Sequence, residues 1–311
     1  RRPLEERIAL VSAGVARLNE MSDEVVPELA WMMGRPIRYG GELGGVNERS
    51  NYMAEIAQRA LAPIEIENSA RFNRRIEHVP HGVVFVVAPW NYPYMTAINT
   101  VVPALIAGNT VVLKHATQTL LVGERMVRAF SEAGLPDDVF INLFLDHPGT
   151  EKLISAGSFN FINFTGSVGG GKAIERAAAG TFTGLGLELG GKDPGYVMED
   201  ADLDWAVDTL MDGAMFNAGQ CCCGIERLYI ARPLYDAFVE KAAAWVTSGL
   251  KLGNPLEQDT TIGPMANVRF AREVRAQTEQ AIASGARGLI DPKQFPADDG
   301  GAYLMPQVLV D

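Results

Sequence analysis

The sequence predicts an α/β fold built on a parallel sheet, and two changes of texture carry that expectation. From Gly82 onward, short apolar β-rich runs alternate with helix-length amphipathic stretches, the rhythm of βαβ units. Before that point, apolar residues recur at three- and four-residue steps instead, which predicts helices.

In chain order, Leu4, Ile8, Val11, Val15 and Leu18 mark one helix, and Met53, Ile56, Ala57 and Ala60 mark another. Residues 1 to about 70 are therefore expected to be helical, with a break over 34–41, where Pro36 and several glycines interrupt the pattern. Strands are expected over Val83–Ala88, Thr110–Lys114, Val139–Leu145 and Phe159–Phe164. The Gly134-Leu-Pro136 group ends a helix, and Asp202-Leu-Asp204 opens another at its acidic end. A second region is expected from around Leu185–Gly191, and it carries all the cysteines.

The balance of 27 Lys+Arg against 38 Asp+Glu gives a net charge of −11. That argues against broad binding to nucleic acid or an anionic membrane and leaves small molecules as the expected partners. No apolar run approaches the ~18–20 residues of a spanning helix, and the first residues lack the apolar stretch of a secretory signal. The three cysteines are consecutive, Cys221-Cys222-Cys223. They lack Cys-x-x-Cys spacing and a second cluster, so neither a disulfide framework nor a metal site is expected, and a reducing cytoplasm fits best. Two readings stay open for them, a nucleophile or small core side chains.

After the strand ending at Phe164 comes Thr165-Gly-Ser-Val-Gly-Gly-Gly-Lys172, with a helix expected over Ala173–Ala179. A strand, a glycine-rich turn and a helix start make an anion site, because free backbone N–H groups and the helix dipole converge there. Ala173 stands where a Walker A loop needs Ser or Thr for Mg²⁺, and the Gly-x-Gly-x-x-Gly spacing is absent too. A turn serving packing alone is the competing reading.

Five motifs in order give the chain a resemblance to the aldehyde dehydrogenase superfamily: Pro89-Trp-Asn-Tyr-Pro93, Ala107-Gly-Asn-Thr-Val-Val-Leu-Lys114, Phe164-Thr-Gly-Ser167, Leu187-Glu-Leu-Gly-Gly-Lys192 and Phe216-Asn-Ala-Gly-Gln-Cys-Cys-Cys223. The likeness runs over practically the whole chain. It implies a doubly wound parallel-sheet nucleotide-binding domain plus the first part of an α/β catalytic domain, divided as residues 1–187 and 188–311. It also implies NAD(P)-dependent oxidation of an aldehyde to a carboxylic acid.

By the same resemblance Cys222 is the nucleophile, Glu188 the general base and Asn91 the oxyanion donor. A thiol suits this chemistry because its thiohemiacetal can release a hydride and the thioester left behind hydrolyses readily. Inside Leu-Glu-Leu-Gly-Gly a carboxylate is expected to sit in an apolar setting, where a charge is costly without a task. Lys114 is similar to the lysine that reaches the adenosine ribose. Gly166 and Ser167 resemble the pyrophosphate contacts, with Thr165, Gly171 and Leu189 placed beside them, and Trp90 lies by the cofactor channel. His78, His81, His115 and His147 form no ligand spacing and receive no role.

The chain departs from the family pattern in three places. Thr117 stands where many NAD-preferring relatives carry a glutamate for the ribose 2′-hydroxyl, and His115 replaces a proline. Losing that carboxylate removes the repulsion that excludes a 2′-phosphate, so the cofactor is expected to be NAD or NADP. Thr100 occupies the position of a family lysine. Finally, the Glu-Ile-Phe-Gly-Pro stretch and the strand that completes the oligomer are absent, so the chain reads as a fragment or a natural truncation of a homo-oligomeric enzyme. Two alternatives accompany the main reading: a CoA-acylating semialdehyde dehydrogenase, against which Glu188 counts, and a catalytically inactive binding protein.

Overall fold

The structure is a computed structural model and describes residues 2–310. Two compact units divide them. The first comprises the residues up to Val25 together with Glu42–Leu189; the second comprises Val26–Gly41 together with the residues from Gly190 onward.

Helices α1 (Leu4–Glu20), α2 (Ser22–Met33) and α3 (Leu43–Ala60) follow the helical periodicity. Between α2 and α3, Gly40 and Gly41 take φ of 64° and 63°, left-handed values that glycine adopts at little cost. The helical expectation fails at its end. Ile64–Asn68 is a strand, β1, paired antiparallel with β2 (Asn73–Ile76). Its Ile-Glu-Ile-Glu run has a two-residue period, which outweighs the helical signal of the preceding segment.

The sheet of the first unit is built from β3 (Val83–Val87), α4 (Pro93–Ile106), β4 (Thr110–Lys114), α5 (Leu120–Glu132), β5 (Phe140–Asn142), α6 (His147–Ser155), β6 (Phe161–Gly166), α7 (Val168–Ala178) and β7 (Gly184–Leu189). Its order is β5-β4-β3-β6-β7, with every neighbouring pair parallel. The chain winds from β3 out to β5, crosses back, and continues through β6 to β7. Strand order therefore reverses between β3 and β6, and the crevice beyond the carboxyl ends at such a point is where open α/β sheets place ligands.

β3 and β4 are nearly continuous runs of buried Val, Phe and Leu, as strands covered on both faces require. Phe85 stacks on Phe159 at 4.2 Å between ring centres, within a cluster that includes Val87, Val112, Ile162, Phe164 and Ile174. Burying each such side chain contributes roughly 1.5–3 kcal/mol.

Sequence and structure differ at four points here. β5 is shorter than the expected 139–145, and β6 starts at Phe161 and extends to Gly166. Residues 184–189 form a fifth strand that the pattern did not show, because its two glycines lower β propensity. A Cβ at Gly184 or Gly186 would stand 2.9 Å from the Phe161 or Asn163 side chain, so close packing selects glycine there. Last, α7 begins at Val168 rather than Ala173, so Gly169, Gly170 and Gly171 lie in its first turn.

In the second unit, β8 (Asp193–Val197) pairs in parallel with β9 (Ile225–Ile230), and α8 (Leu203–Met215) lies between them in sequence. α9 (Tyr235–Gly249), α10 (Val268–Ala283) and the short antiparallel pair β10 (Arg287–Gly288) and β11 (Leu309–Val310) complete it. Asp202 caps α8 as its acidic opening predicts, its carboxylate accepting the N–H groups of Asp204 and Trp205. Val197, Val207, Met211, Phe238, Ala242 and Val246 form this unit's core. Among the described residues, no helix is long and apolar enough to cross a membrane.

Candidate functional site

The parallel register of the first unit aligns the predicted residues at one edge of the sheet. Val87, the last residue of β3, pairs with Lys114 on one side, and it pairs with Phe164 on the other. Thr165 pairs with Glu188 and Gly166 with Leu189. The loop after β3 carries Trp90 and Asn91, both half-buried. Asn91, Lys114, Thr165, Gly166, Ser167 and Glu188 thus stand together at the carboxyl ends of four neighbouring strands, beside the point where strand order reverses.

Ser167 starts α7. Its hydroxyl accepts the Gly170 N–H at 3.1 Å, and its carbonyl accepts the Gly171 N–H at 2.9 Å. Among the described residues the N–H groups of Val168 and Gly169 are left without a protein acceptor, at the positive end of the helix dipole. A Cβ at Gly166 or Gly170 would fall 2.7 or 2.5 Å from the Phe164 ring, and one at Gly171 would fall 2.7 Å from Leu189. These glycines therefore let the helix start sit tightly against the strand ends, which suits a phosphate approaching the backbone.

Lys114 is buried, and among the described residues its ammonium has no hydrogen-bond or ion-pair partner. Burial pushes its pKa down. A largely buried lysine whose ammonium makes no protein hydrogen bond can offer its donors to a ligand hydroxyl or phosphate. Thr117 is exposed, its hydroxyl 3.2 Å from Gln118 Oε1. Asn91 Oδ1 accepts the Tyr92 N–H at 3.1 Å, which fixes its turn. The Thr100 hydroxyl donates to Asn163 Oδ1 at 2.9 Å. Glu188 is exposed, which corrects the expectation of an apolar setting. It alternates along β7 with half-buried Leu187 and Leu189, which take the packing role.

One residue without a sequence role proves structural to this edge. His115 is fully enclosed; its Nε2 lies 3.1 Å from the Pro93 carbonyl, and its Nδ1 lies 3.0 Å from Thr119 Oγ1 and 3.1 Å from the Ala116 nitrogen. A carbonyl only accepts, so Nε2 carries the proton and Nδ1 accepts. The ring ties the residue after Lys114 to the first residue of α4, two positions beyond Asn91. Burial lowers its pKa to about 4. A lone histidine gives no such signal in sequence; only its backbone partners reveal it.

In the second unit the thiols follow a left-handed turn. Asn217, Ala218 and Gly219 have φ of 55°, 56° and 73°. Buried amides lock it: Gln220 Nε2 donates to the Asn217 carbonyl at 3.0 Å, and Asn217 Nδ2 donates to the Gln220 carbonyl at 3.2 Å. Gln220 Oε1 accepts the Ala266 N–H at 2.9 Å, and buried Arg35 donates to Asn217 Oδ1 at 3.3 Å. Beyond the turn, Cys222 and Cys223 are exposed and Cys221 is half-buried. The sulfurs of Cys221 and Cys223 lie 3.3 Å apart. That contact, with burial and the neighbouring thiols, pushes the Cys223 thiol up to about 11, so it stays protonated at neutral pH.

The aldehyde dehydrogenase family model matches residues 1–311. The chain is 32% identical over 311 residues to the NADP(+) succinate-semialdehyde dehydrogenase of Deinococcus radiodurans, covering 100% of this chain and 64% of that protein. It is 32% identical over 294 residues to the NAD(P)+ succinate semialdehyde dehydrogenase Sad of Escherichia coli K12, covering 94% and 63%. It superimposes with a TM-score of 0.91 on the crystal structure of the Streptococcus pyogenes succinic semialdehyde dehydrogenase in complex with NADP+, at 27% identity over 98% of this chain and 67% of that one. The chain thus spans less than two thirds of the length of the two sequence relatives. With the five motifs in order, a doubly wound sheet and a match along its full length, the chain belongs to the aldehyde dehydrogenase family.

Proposed function

We propose that the protein oxidises an aldehyde to a carboxylic acid with NAD or NADP, through a thiohemiacetal and a thioester on Cys222. The observation that supports this most is the strand-end edge. There an uncommitted helix N-terminus, an unpartnered buried Lys114 and the Asn91 turn share one end of a parallel sheet at its switch point.

In this reading Cys222 passes its proton to solvent, through Glu188 or a water, and adds to the aldehyde carbon. The Asn91 side-chain amide and the Cys222 backbone N–H stabilise the alkoxide that forms. When bound, the nicotinamide cofactor supplies the hydride acceptor. Glu188 takes a proton from the water that attacks the thioester, releasing the acid and restoring the thiol. Its exposure on β7 suits a group that must meet water.

Lys114 holds the adenosine ribose; Gly166, Ser167 and the α7 N-terminus hold the pyrophosphate. Thr165, Gly171, Leu189 and Trp90 shape the cofactor's surroundings. Thr117 brings no carboxylate against a 2′-phosphate, and relatives named for NADP support that cofactor beside NAD. The work divides into a nucleotide-binding region over residues 1–187 and a catalytic region from residue 188. The reading extends to a homo-oligomer in the reducing cytoplasm, where its consecutive thiols stay free; the net charge of −11 supports partners other than nucleic acid.

The test is turnover by the protein at its full native length on a panel of aldehydes, with succinate semialdehyde first because relatives carry that name. Formation of reduced cofactor with either nucleotide and release of free acid are expected. Acyl-CoA formation only when CoA is added would assign the CoA-acylating reaction instead. Cofactor binding without turnover on any aldehyde would leave a binding protein.

A further inference from the structure

We propose that Cys221, Cys222 and Cys223 form a binding site for a soft d10 cation of the Cd(II), Zn(II) or Cu(I) class, held by three thiolates with any remaining position open to water. The three sulfurs all lie within 4.8 Å of one another, and those of Cys221 and Cys223 are 3.3 Å apart. Zinc–sulfur bonds of ~2.3 Å set tetrahedrally arranged sulfurs ~3.8 Å apart, and a larger cation such as Cd(II) sets them somewhat wider, so separations in this range suit one ion after side-chain rotation.

The backbone explains why consecutive residues can chelate. On an extended strand their side chains would point to alternate faces. Here the Cys221 N–H donates to the Gly219 carbonyl at 2.9 Å and the Gly224 N–H donates to the Cys221 carbonyl at 3.3 Å, so the chain curls around the thiols. The Gly191 N–H donates to the Cys222 carbonyl at 3.2 Å and pins the middle residue. The Asn217–Gln220 amide clamp holds the turn that feeds this curl. The ligand set is preassembled, and the cost of ordering it is met by folding rather than by the metal. The usual ligand spacing is missing because the curl, and not a Cys-x-x-Cys register, gathers the sulfurs.

Chemistry narrows the ion. The cluster offers sulfur alone, with no carboxylate or imidazole in the group. Thiolate donors select soft cations, whereas Mg²⁺ and Ca²⁺ need oxygen. Two of the thiols are exposed, which gives an ion a path in. On binding, each S–H gives its proton to buffer and forms one metal–sulfur bond, with no change of oxidation state.

The inference goes beyond the dehydrogenase reading and does not depend on it, so its test reads metal rather than turnover. The protein, reduced with a phosphine under argon, is titrated with Cd(II) while the ultraviolet cadmium–thiolate charge-transfer band and proton release are followed. About one Cd(II) per chain and about three protons per metal are expected. Cys221→Ser and Cys223→Ser should each weaken binding by about tenfold or more. Both substitutions are nearly isosteric, and circular dichroism confirms that the variants are folded. X-ray absorption on the cadmium complex then counts the sulfur ligands. Three support the site; one or two sulfurs, or an affinity unchanged in folded Cys223→Ser, overturn it.

Discussion

The strand-end edge of the first unit and the thiol loop of the second are held in place by different physics. At the strand ends, position follows from the sheet: Lys114 and Thr165 project from strands whose neighbours are buried Val, Phe and Leu, with a fixed parallel register. In the thiol loop no regular ladder exists. Position there comes from a left-handed turn and a few buried amide hydrogen bonds. Apolar burial spreads the stabilisation of the first arrangement over many side chains. The second concentrates it in a few groups, each of which leaves an unsatisfied partner when removed.

The largest expected effect lies in the loop. Cys222→Ala is expected to lower aldehyde turnover by about a thousandfold or more, while Cys221→Ala and Cys223→Ser keep most of it. Mass spectrometry after reaction with a slow aldehyde should find the acyl group on Cys222; an adduct on either neighbour would move the nucleophile. At the strand ends, Asn91→Ala should lower kcat by about 100- to 1000-fold, as for loss of an oxyanion donor. Cofactor affinity, measured separately by fluorescence quenching, should change little. Equal loss of affinity would make Asn91 a binding residue instead.

These contrasts also explain what could be read from the sequence. Val83–Val87 and Thr110–Lys114 were legible because strands buried on both faces are unbroken apolar runs. The start of α7 was not, since three glycines are poor helix formers and the Ser167 cap that overrides them is a matter of geometry. β7 hid behind glycines whose reason is the side chains of Phe161 and Asn163 on the next strand. The motifs drew attention to Asn91, Glu188 and Cys222, yet the exposure of Glu188 could not be read from them, because β-strand alternation assigns faces only once the strand is known. The turn that leads into the three sulfurs has left-handed φ values at Asn217, Ala218 and Gly219; residue type suggests them for glycine and, more weakly, for asparagine, but not for Ala218.

The sheet edge should be the more sensitive region to acid. His115 is neutral in the fold, with its pKa lowered to about 4 from 6.5 by burial. Above the unfolded value both states are neutral and the group contributes no pH dependence. As pH falls from 6.5 towards 4 the unfolded chain takes up the proton first, so stability drops across that window by on the order of 3 kcal/mol. Urea midpoints between those pH values should show the decline, and His115→Gln should flatten it. An unchanged slope in the variant would assign the acid sensitivity to other groups.

In the loop, Gln220→Ala should cost roughly 1–2 kcal/mol, because the half-buried Ala266 N–H loses its acceptor and the Asn217 carbonyl loses one of its two donors, keeping the Gln220 backbone N–H. The expected readout is a lower urea midpoint together with faster alkylation of Cys222 by iodoacetamide, as the turn loosens. A lower midpoint with unaltered alkylation would separate the clamp from the thiols.

The smallest effect tests whether the loop stores strain. Ala218 sits at φ 56°, a left-handed conformation that costs an L-residue with a Cβ roughly 1–2 kcal/mol. Glycine meets no such penalty, although its freer unfolded chain returns part of the gain. Ala218→Gly should therefore stabilise the protein by about 0.5–1 kcal/mol, read as a higher urea midpoint with the same slope. Asn217, beside it at φ 55°, serves as the control, because asparagine tolerates this region and its side chain belongs to the clamp. Asn217→Gly should thus destabilise where Ala218→Gly stabilises. Opposite signs at adjacent residues with nearly the same φ would establish that the turn is held by its amides against the preference of its backbone; equal signs would mean that conformation alone decides.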